Sequence, residues 1–318
     1  MKVLLIGVNG FSGAHLLRFL SLTGDLEIFG TGTKPEYTGD GTLEKYIPLD
    51  ITRYQDVRKV IEEVQPAQVY NMAGILPGVR NDQEDLMLRI NCLGCINILE
   101  AVKSINVKIK TLFVGSAAEY GRINTGDYPA DFPIEESYPC NPVGFYGISK
   151  YYMSKIALDY FQKWNVQAVV ARPFNIIGPG VGFEVVAGAF LKRAWAALKT
   201  QSPAEVKMGD LGAERDFMDV RDVARALRLI MELGRPGEVY NVASGVPVKI
   251  EYIIETLRGF FEGRVQLTKD ESIKKSFDVS RVYGSSKKLT AETGFLPEIS
   301  LEDSLYETWK YERESQKK

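Results

Sequence analysis

The sequence holds few of the residues that most often carry acid–base and metal chemistry. Its 318 residues include one histidine, His15, and three cysteines. A single histidine on the first predicted helix nearly excludes catalysis by a histidine base, so proton transfer falls to Tyr, Lys, Asp, Glu or Ser. Cys92 and Cys95 form a C-x-x-C pair, but helical sequence surrounds them and no second cysteine pair completes a metal site. We interpret them as small buried residues, expect no bound metal, and note that so few cysteines suit a reducing cytoplasm.

Long apolar runs and an excess of positive charge are also missing. The longest apolar stretches have the length of a strand, which argues against a membrane span. The net charge of −2 argues against nucleic acid as a partner. The chain enters a strand directly after Met1, without the pattern of a signal peptide, so we expect a cytoplasmic protein.

The first twenty residues carry the clearest pattern that is present. Lys2–Ile6 is an apolar run short enough for a buried strand, and Ala14–Leu20 has helical spacing. Between them, Gly7, Gly10 and Gly13 suit a tight turn that lets the backbone approach a pyrophosphate at a helix N-terminus. The pattern predicts a dinucleotide-binding unit; the alternative is an ordinary tight turn. The spacing G-x-x-G-x-x-G differs from the G-x-G-x-x-G of the commoner dehydrogenases.

Strand and helix patterns alternate through the first half, which predicts an α/β fold with a Rossmann-like, doubly wound parallel sheet. Further strands are predicted at 26–31, 46–49, 67–71, 110–114, 167–171 and 237–242, and helices at 51–64, 82–103, 142–164 and 220–233. After Arg172, glycine and proline become frequent and the elements shorten. We expect residues 1–172 and about 217–245 to form the dinucleotide-binding domain, with a smaller α/β substrate lobe from about 173–216 and 246–318. A small substrate would bind between the two, beyond the carboxyl ends of the strands.

A tyrosine and a lysine are the first candidates for chemistry. Tyr146 and Lys150 are spaced i, i+4, so they share one face of the predicted helix 142–164. A nearby ammonium favours the phenolate, so we expect Lys150 to lower the pKa of Tyr146 towards neutral pH. The pair alone is weak evidence, because surface Tyr–Lys pairs are common. Ser116 follows the strand 110–114, where its hydroxyl could hold a substrate oxygen or simply cap a loop.

Motifs along nearly the whole chain resemble those of the extended short-chain dehydrogenase/reductase family, in its nucleotide-sugar-modifying branch. They are the three glycines, the Ser116 segment, Tyr146 with Lys150, and the segments 172–180, 214–223, 237–245 and 288–295. Within that branch the sequence is most similar to the GDP-4-keto-6-deoxymannose reductases, with dehydratases and epimerases as further relatives.

The resemblance implies a role for each site residue. Tyr146 would donate or accept the proton, Lys150 would support it and bind a ribose, and Ser116 would hold the substrate oxygen. Asp50 and Ile51 would border the adenine. The cofactor-binding residues predicted in this way are Gly7, Asn9, Gly10, Phe11, Ser12, Gly13, Thr31, Thr33, Lys34, Asp50, Ile51, Met72, Ala73, Gly74, Asn91, Tyr146, Lys150 and Pro173.

The substrate that the resemblance implies is a nucleoside-diphosphate sugar. Asn175 and Arg215 would contact its diphosphate part, and a guanidinium suits bidentate phosphate binding. The alternative for Arg215 is an ion pair with a neighbouring carboxylate. Relatives place an arginine against the diphosphate where this chain offers Lys275 or Arg281, and Arg80 is either a substrate group or solvated. The predicted substrate-binding residues are Ser116, Ala117, Asn175, Arg215, Lys192, Arg80, Lys275 and Arg281.

The residues after Ser116 bear on the reaction. Dehydratases of the family carry an acid there, but this chain has Ala117 and Ala118, which cannot transfer protons. Glu119 lies one place further on, and we expect it to point elsewhere. Dehydration is therefore disfavoured, whereas 4-keto reduction, 4-epimerisation with a tightly bound NAD, and a dinucleotide sensor without chemistry stay open.

The end of the second predicted strand bears on the cofactor. NAD-binding proteins usually place a carboxylate there, but this chain reads Thr31, Thr33 and Lys34. Hydroxyls and an ammonium suit a 2′-phosphate, so we predict NADP(H) over NAD(H). That preference favours reduction of the 4-keto group of an NDP-4-keto-6-deoxy sugar. The two long helices at 82–103 and 142–164 could also pair across a two-fold axis in a homodimer.

Overall fold

The structure, a computed structural model, describes residues 1–76, 84–123, 132–270 and 281–317. Its first part alternates strands and helices as predicted. The elements are β1 (Lys2–Ile6), α1 (Phe11–Ser21), β2 (Glu27–Gly32), β3 (Lys45–Pro48), α2 (Tyr54–Val64), β4 (Gln68–Asn71), α3 (Glu84–Leu88), α4 (Gly94–Ile105), β5 (Lys110–Val114), α5 (Gly144–Trp164) and β6 (Ala168–Pro173).

The second part has shorter elements and a less regular order. They are β7 (Asn175–Ile177), α6 (Val186–Leu198), β8 (Ala204–Met208), β9 (Glu214–Asp219), α7 (Val220–Leu233), β10 (Val239–Val242), β11 (Pro247–Lys249), α8 (Ile250–Gly259), β12 (Val265–Lys269), β13 (Arg281–Val282), α9 (Lys287–Thr293) and α10 (Leu301–Ser315). None of the described helices is both long and apolar enough to cross a membrane.

Seven parallel strands form the central sheet, in the order β10-β6-β5-β4-β1-β2-β3. Alternate residues of β1 face opposite sides, so Leu5 packs towards α1 and α7 while Leu4 packs towards α2 and α4. Each side chain of this kind stabilises the fold by about 2 kcal/mol when fully buried. The sheet is covered on both faces, which confirms the predicted doubly wound α/β fold.

The predicted helix 82–103 is not continuous. After α3, residues Arg89–Leu93 form one π-helical turn before α4 begins at Gly94. This turn contains Asn91, which is almost fully buried. Such a turn widens the helix by one residue and re-aims the side chains within it. The periodicity of apolar residues could not show it, because the residues on either side keep ordinary helical spacing.

A second sheet lies beyond the carboxyl end of β6. Its central strand, β9, pairs with β11 on one edge, and with β13 and then β7 on the other. A core that includes Phe190, Phe261 and Trp309 lies beneath it, between α6, α8 and α10. β9 runs straight into α7, whose first turn is capped by Asp219 through its contact with the amide of Arg221 at 2.8 Å. The second sheet is therefore joined to the first by a continuous strand–helix unit.

Candidate active site

The glycine turn after β1 is closed by contacts that admit no side chain. Gly7 has φ of +89°, and a Cβ placed there would lie 2.9 Å from the amide nitrogen of Ala73. A Cβ on Gly13 would lie 2.2 Å from the carbonyl oxygen of Gly7. Gly10 begins α1 without a capping side chain, so it provides no side-chain acceptor for the first-turn amides, which include those of Phe11 and Ser12. The turn therefore leaves donors free for an anion at a helix N-terminus.

The end of β2 is anchored to this turn. The carbonyl oxygen of Thr31 accepts bonds from the amides of Gly7 and Val8, at 2.8 and 3.0 Å. The side chain of Thr31 is fully buried with no bonded partner for its hydroxyl, so it does not reach the surface. Thr33 and Lys34, by contrast, are exposed. Asn9 joins the same edge, since the Tyr46 hydroxyl donates to its Oδ1 at 3.1 Å.

The predicted adenine border lies at the next strand end. Oδ1 of Asp50 accepts bonds from the amide and hydroxyl of Thr52, at 2.9 and 2.8 Å, and Asp50 stays exposed. Ile51 is buried and its carbonyl accepts from Nδ2 of Asn97 at 2.8 Å. Asp50 therefore shapes the turn and can face a ligand, whereas Ile51 mainly fills the core.

Ser116, Tyr146 and Lys150 meet where β5 ends. The Ser116 hydroxyl lies close enough to the Tyr146 phenol to lower its pKa. Lys150 is 5% exposed, and its Nζ donates to the carbonyl oxygen of Val114 at 2.8 Å. A Cβ on Gly74 would lie 3.0 Å from that Nζ, so the loop after β4 lies against the lysine. The structure thus brings these three predicted residues together at one edge of the sheet.

Asn91 completes this cluster from the π-helical turn. Its Nδ2 donates to Oγ of Ser149 at 2.8 Å, and that hydroxyl donates to the carbonyl of Tyr146 at 2.9 Å. Its Oδ1 is buried, has no bonded partner, and lies on the Gly74 side. A buried carbonyl oxygen without a donor is costly, so this atom is placed to accept from a ligand or water.

The prediction that Lys150 lowers the pKa of Tyr146 is wrong. The pKa of Tyr146 is raised, chiefly by burial, with the nearby Ser116 hydroxyl opposing the rise and the Glu119 carboxylate adding to it. Burial also lowers the pKa of Lys150 to about 8. Tyr146 therefore stays a protonated phenol at neutral pH.

The predicted substrate residues lie mainly on the second sheet. Asn175 is on β7, and its Nδ2 donates to the carbonyl of Asp216 at 2.8 Å. Arg215 is 7% exposed on β9, and its NH1 donates to the carbonyl of Glu214 at 2.7 Å. Arg281 on β13 forms an ion pair with the Glu214 side chain. The register therefore gathers these three residues on neighbouring strands.

The other substrate predictions are more scattered. Lys192 is exposed on α6, with its ammonium 4.8 Å from the centre of the Phe183 ring. Ala117 lies in the short turn after Ser116. Arg80 and Lys275 lie outside the described residues. Of the remaining cofactor predictions, Met72 and Ala73 follow β4, and Pro173 is buried at the end of β6.

Sequence reasoning missed a buried ion pair behind the site. Oε2 of Glu119 accepts from Nε of Arg172 at 2.7 Å, and neither side chain is more than 5% exposed. Glu119 does point away from the site surface, as expected, but it also accepts from the amide of Ser116 at 3.0 Å. Ser-Ala-Ala-Glu is a capping-box pattern, and that signal could have revealed this contact. Among the described residues, no cluster of His, Cys, Asp and Glu side chains is placed to hold a metal.

Comparison with known proteins agrees with this geometry. The profile of the NAD dependent epimerase/dehydratase family matches residues 3–243. The chain is 28% identical to GDP-6-deoxy-D-mannose reductase of Pseudomonas aeruginosa over 306 residues, covering 96% of this chain and 94% of that protein. It is 26% identical to GDP-6-deoxy-D-talose 4-dehydrogenase of Aggregatibacter actinomycetemcomitans, over 91% of this chain and 90% of that one.

Solved structures show the same fold along the whole chain. RMD from Pseudomonas aeruginosa, complexed with NADPH, superposes with a TM-score of 0.80 at 28% identity, covering 99% of each chain. UDP-glucose 4-epimerase of Thermotoga maritima, with UDP-glucose, gives a TM-score of 0.85 at 23% identity, over 99% of this chain and 100% of that one.

Proposed function

The chain belongs to the NAD dependent epimerase/dehydratase family, and from that premise we propose that it reduces the 4-keto group of an NDP-4-keto-6-deoxy sugar. The observation that carries the proposal is the Ser116–Tyr146–Lys150 cluster with no acid at positions 117 and 118. A dehydratase needs such an acid to remove water, and a sensor has no need of the complete cluster. The relatives named as a GDP-6-deoxy-D-mannose reductase and a GDP-6-deoxy-D-talose 4-dehydrogenase support it.

The protonation state of the cluster suits reduction. A carbonyl that gains a hydride must also gain a proton, and Tyr146 keeps its proton at neutral pH because its pKa is raised. Ser116 lies next to Tyr146, so its hydroxyl can hold the substrate oxygen beside the proton donor. Lys150 does not lower the pKa of Tyr146, and we assign it to the ribose of the cofactor, as the family resemblance implies.

The cofactor we propose is NADP(H), held at the glycine turn. The uncapped start of α1 fits a diphosphate, and the partnerless Oδ1 of Asn91 beside Lys150 fits a polar group of the cofactor. When bound, the nicotinamide supplies the hydride. Thr33 and Lys34, both exposed, would contact the 2′-phosphate, while Thr31 acts through its backbone. Tenfold tighter binding of NADH than of NADPH would contradict the preference.

The substrate end is proposed to lie over the second sheet. Arg215, Arg281 and Asn175 lie on neighbouring strands there, and guanidinium groups suit a diphosphate. We assign residues 1–172 and about 217–245 to cofactor binding, and about 173–216 and 246–318 to the substrate lobe. One exception is α9, whose Leu289 packs into the core of the first sheet.

We also propose a cytoplasmic homodimer. Apolar side chains are exposed along the α3–α4 and α5 region, and they include Leu88, Leu93, Phe145 and Tyr152. Two copies of this surface paired across a two-fold axis would bury them. Light scattering in solution tests the dimer. The cysteines, which are free thiols in the structure, suit a reducing compartment.

A cofactor assay distinguishes the candidate functions. The protein is mixed with NADPH and a panel of NDP-4-keto-6-deoxy sugars, and the absorbance of the reduced cofactor is followed. Stoichiometric loss of NADPH supports the reductase. Tightly bound NAD with sugar interconversion and no net oxidation identifies a 4-epimerase, for which the Ser-Ala-Ala sequence is equally acceptable. Cofactor binding without either reaction would contradict both and leave a sensor.

A further inference from the structure

The turn that carries Ser116 contacts a buried carboxylate, that of Glu119. Glu119 has no exposed surface, and its Oε1 accepts from the amide of Ser116 at 3.0 Å and from Oγ of Ser154 at 2.9 Å. Its Oε2 accepts from Nε of Arg172 at 2.7 Å. Gly115 makes room for this arrangement, since a Cβ there would lie 2.2 Å from Oε1 of Glu119. The carboxylate therefore fixes the turn that presents Ser116.

The network continues across the sheet to the substrate side. NH1 of Arg172 donates to the hydroxyl of Tyr120 at 3.3 Å, and that hydroxyl donates to Oδ1 of Asn241 at 2.7 Å. Nδ2 of Asn241 donates to the carbonyl of Ile134 at 2.9 Å. Ile134 in turn bonds through its backbone to Tyr283 and Ser285, at 2.9 and 2.8 Å. These residues directly follow β13, the strand of Arg281, so buried bonds join the Ser116 turn to the second sheet.

Stability alone does not explain such a pair. Removing two charges from water costs several kcal/mol per ion, and apolar residues of similar volume often stabilise a protein as well or better. The Glu119–Arg172 pair sits directly beneath the reacting groups, and the same carboxylate contacts the backbone of Ser116. Its location indicates a role in the geometry and charge of the site.

We propose that the Glu119–Arg172 pair is a positioning device, which holds Ser116 and Tyr146 in the geometry for proton donation and couples them to β13. The direction of the chemistry rests on the proposed reduction, whereas the positioning does not. Neither Glu119 nor Arg172 is assigned to touch substrate or cofactor; each acts through Ser116 and Tyr146.

The charges around the pair agree with this role. Glu119 raises the pKa of both Tyr146 and Lys150, the ionisable groups that α5 turns towards it. Arg172 faces it from β6 and opposes the rise in the pKa of Glu119 that burial causes. The nearby phenol of Tyr120, with its pKa raised to about 12, and the thiol of Cys140, with its pKa raised by burial, both stay neutral. Glu119 thus favours the protonated form of both Tyr146 and Lys150, and in Lys150 it opposes the effect of burial.

Glu119→Gln tests the charge with a readout that needs no substrate. We expect the pKa of Lys150, followed by NMR of 13Cε-labelled lysine and assigned with Lys150→Met, to fall by about 1 unit. The alkaline limb of the reduction rate should move to lower pH in the same direction. Cofactor affinity should change less than about twofold, because Glu119 lies behind the site. An unchanged pKa of Lys150 in folded Glu119→Gln would overturn the proposal, whether or not any substrate of the panel is reduced.

Glu119→Asp tests position separately and covers the case in which Glu119→Gln does not fold. The shorter side chain keeps the charge but cannot span both Ser116 and Arg172. We expect kcat to fall by about tenfold to a hundredfold with the pKa of Lys150 unchanged. A kcat within twofold of the wild type would contradict the positioning role.

The chain offers a matched control in a second Glu–Arg–Tyr group. Glu292 on α9 bonds to Arg235 and to the Tyr240 hydroxyl, but that group lies at the opposite end of the sheet, where Arg235 is exposed. Glu292→Gln should leave kcat, the alkaline limb and the pKa of Lys150 unchanged. A shift of the same size in this control would show a general charge effect and overturn the assignment to Glu119.

Discussion

Two regions of the molecule differ in whether their polar groups have partners within the protein: the cofactor side, around the glycine turn, and the substrate side, on the second sheet. On the cofactor side, the first turn of α1 lacks a capping side chain, Lys34 is exposed, and Oδ1 of Asn91 has no partner. On the substrate side, Arg281 is paired with Glu214, and Asn175 is bonded to the backbone of Asp216. The first region is set up to receive a ligand, whereas the second has its groups engaged with one another.

The difference teaches how each region can recognise a ligand. A cofactor site with free donors needs no rearrangement, so binding there loses little energy in breaking internal bonds. A substrate that binds Arg215 or Arg281 must compete with the Glu214 contacts that hold them. We therefore expect the glycine turn to act as a fixed site, and the second sheet to exchange internal partners for substrate.

The largest effect is expected on removing the Tyr146 hydroxyl, since Tyr146 is assigned both to cofactor binding and to proton donation to the substrate. In Tyr146→Phe the proton donor is lost while the ring is kept, so kcat should fall by about a thousandfold. Cofactor affinity should stay within about threefold, because the glycine turn is untouched. Stopped-flow turnover and fluorescence titration with NADPH measure the two. Tyr151→Phe on the same helix is the control, and turnover retained in Tyr146→Phe would remove Tyr146 from its role.

A second test breaks the fixed geometry of the cofactor side. Gly13→Ala places a methyl group where only 2.2 Å separates it from the Gly7 carbonyl, so α1 must move from the turn. We expect NADPH affinity to fall by about a hundredfold and stability by about 2 kcal/mol, the cost of overpacking. Isothermal titration and denaturant unfolding check both. Gly259→Ala, where a Cβ meets open space, should be neutral or slightly stabilising. Equal effects in the two variants would contradict the role of the glycine turn in cofactor binding.

A third test addresses the substrate side alone. Arg215→Lys keeps the charge but loses the planar fork, so KM for the nucleotide sugar should rise by about tenfold with NADPH affinity unchanged. Arg193→Lys replaces an exposed arginine on α6 and should not alter KM. If Arg215→Lys lowers only the melting temperature, then Arg215 supports the sheet and does not bind substrate.

The smallest expected effect probes the contact between the two sides. Nε2 of His15 on α1 lies 2.9 Å from the carbonyl oxygen of Pro179. Burial lowers the pKa of His15, and Arg18 and Arg221 lower it further, while the Pro179 carbonyl and Asp219 oppose the shift without reversing it. A lowered pKa means that the unfolded state binds the proton first, so stability is complete above about pH 6.5 and declines as pH falls below it. The melting temperature should drop between pH 7.5 and 5.5 by roughly 2 °C more in the wild type than in His15→Gln. An identical pH dependence in both proteins would rule His15 out.

The parts of the site that the sequence predicts are those fixed by local chemistry. The glycine turn and the Tyr146–Lys150 spacing depend on neighbours within a few residues, and the structure brings them together with Ser116 as expected. Ion pairs between residues far apart in the chain could not be predicted from the sequence. Arg172 meets Glu119 because β6 lies beside β5, and Arg281 meets Glu214 because β13 joins β9, across 53 and 67 residues of chain. Likewise, the direction of the Tyr146 pKa shift is set chiefly by burial, which the i, i+4 spacing does not reveal.

The π-helical turn at Arg89–Leu93 amounts to a one-residue insertion in a helix. Without that residue, α3 and α4 would join as a single regular helix, and every side chain before the join would rotate by about 100° relative to those after it. Asn91 would then leave Ser149 and Lys150, and its free carbonyl oxygen would turn away from the cofactor side. The irregular turn therefore orients the Asn91 side chain. Deleting one residue there would make the helix regular and would disrupt the site.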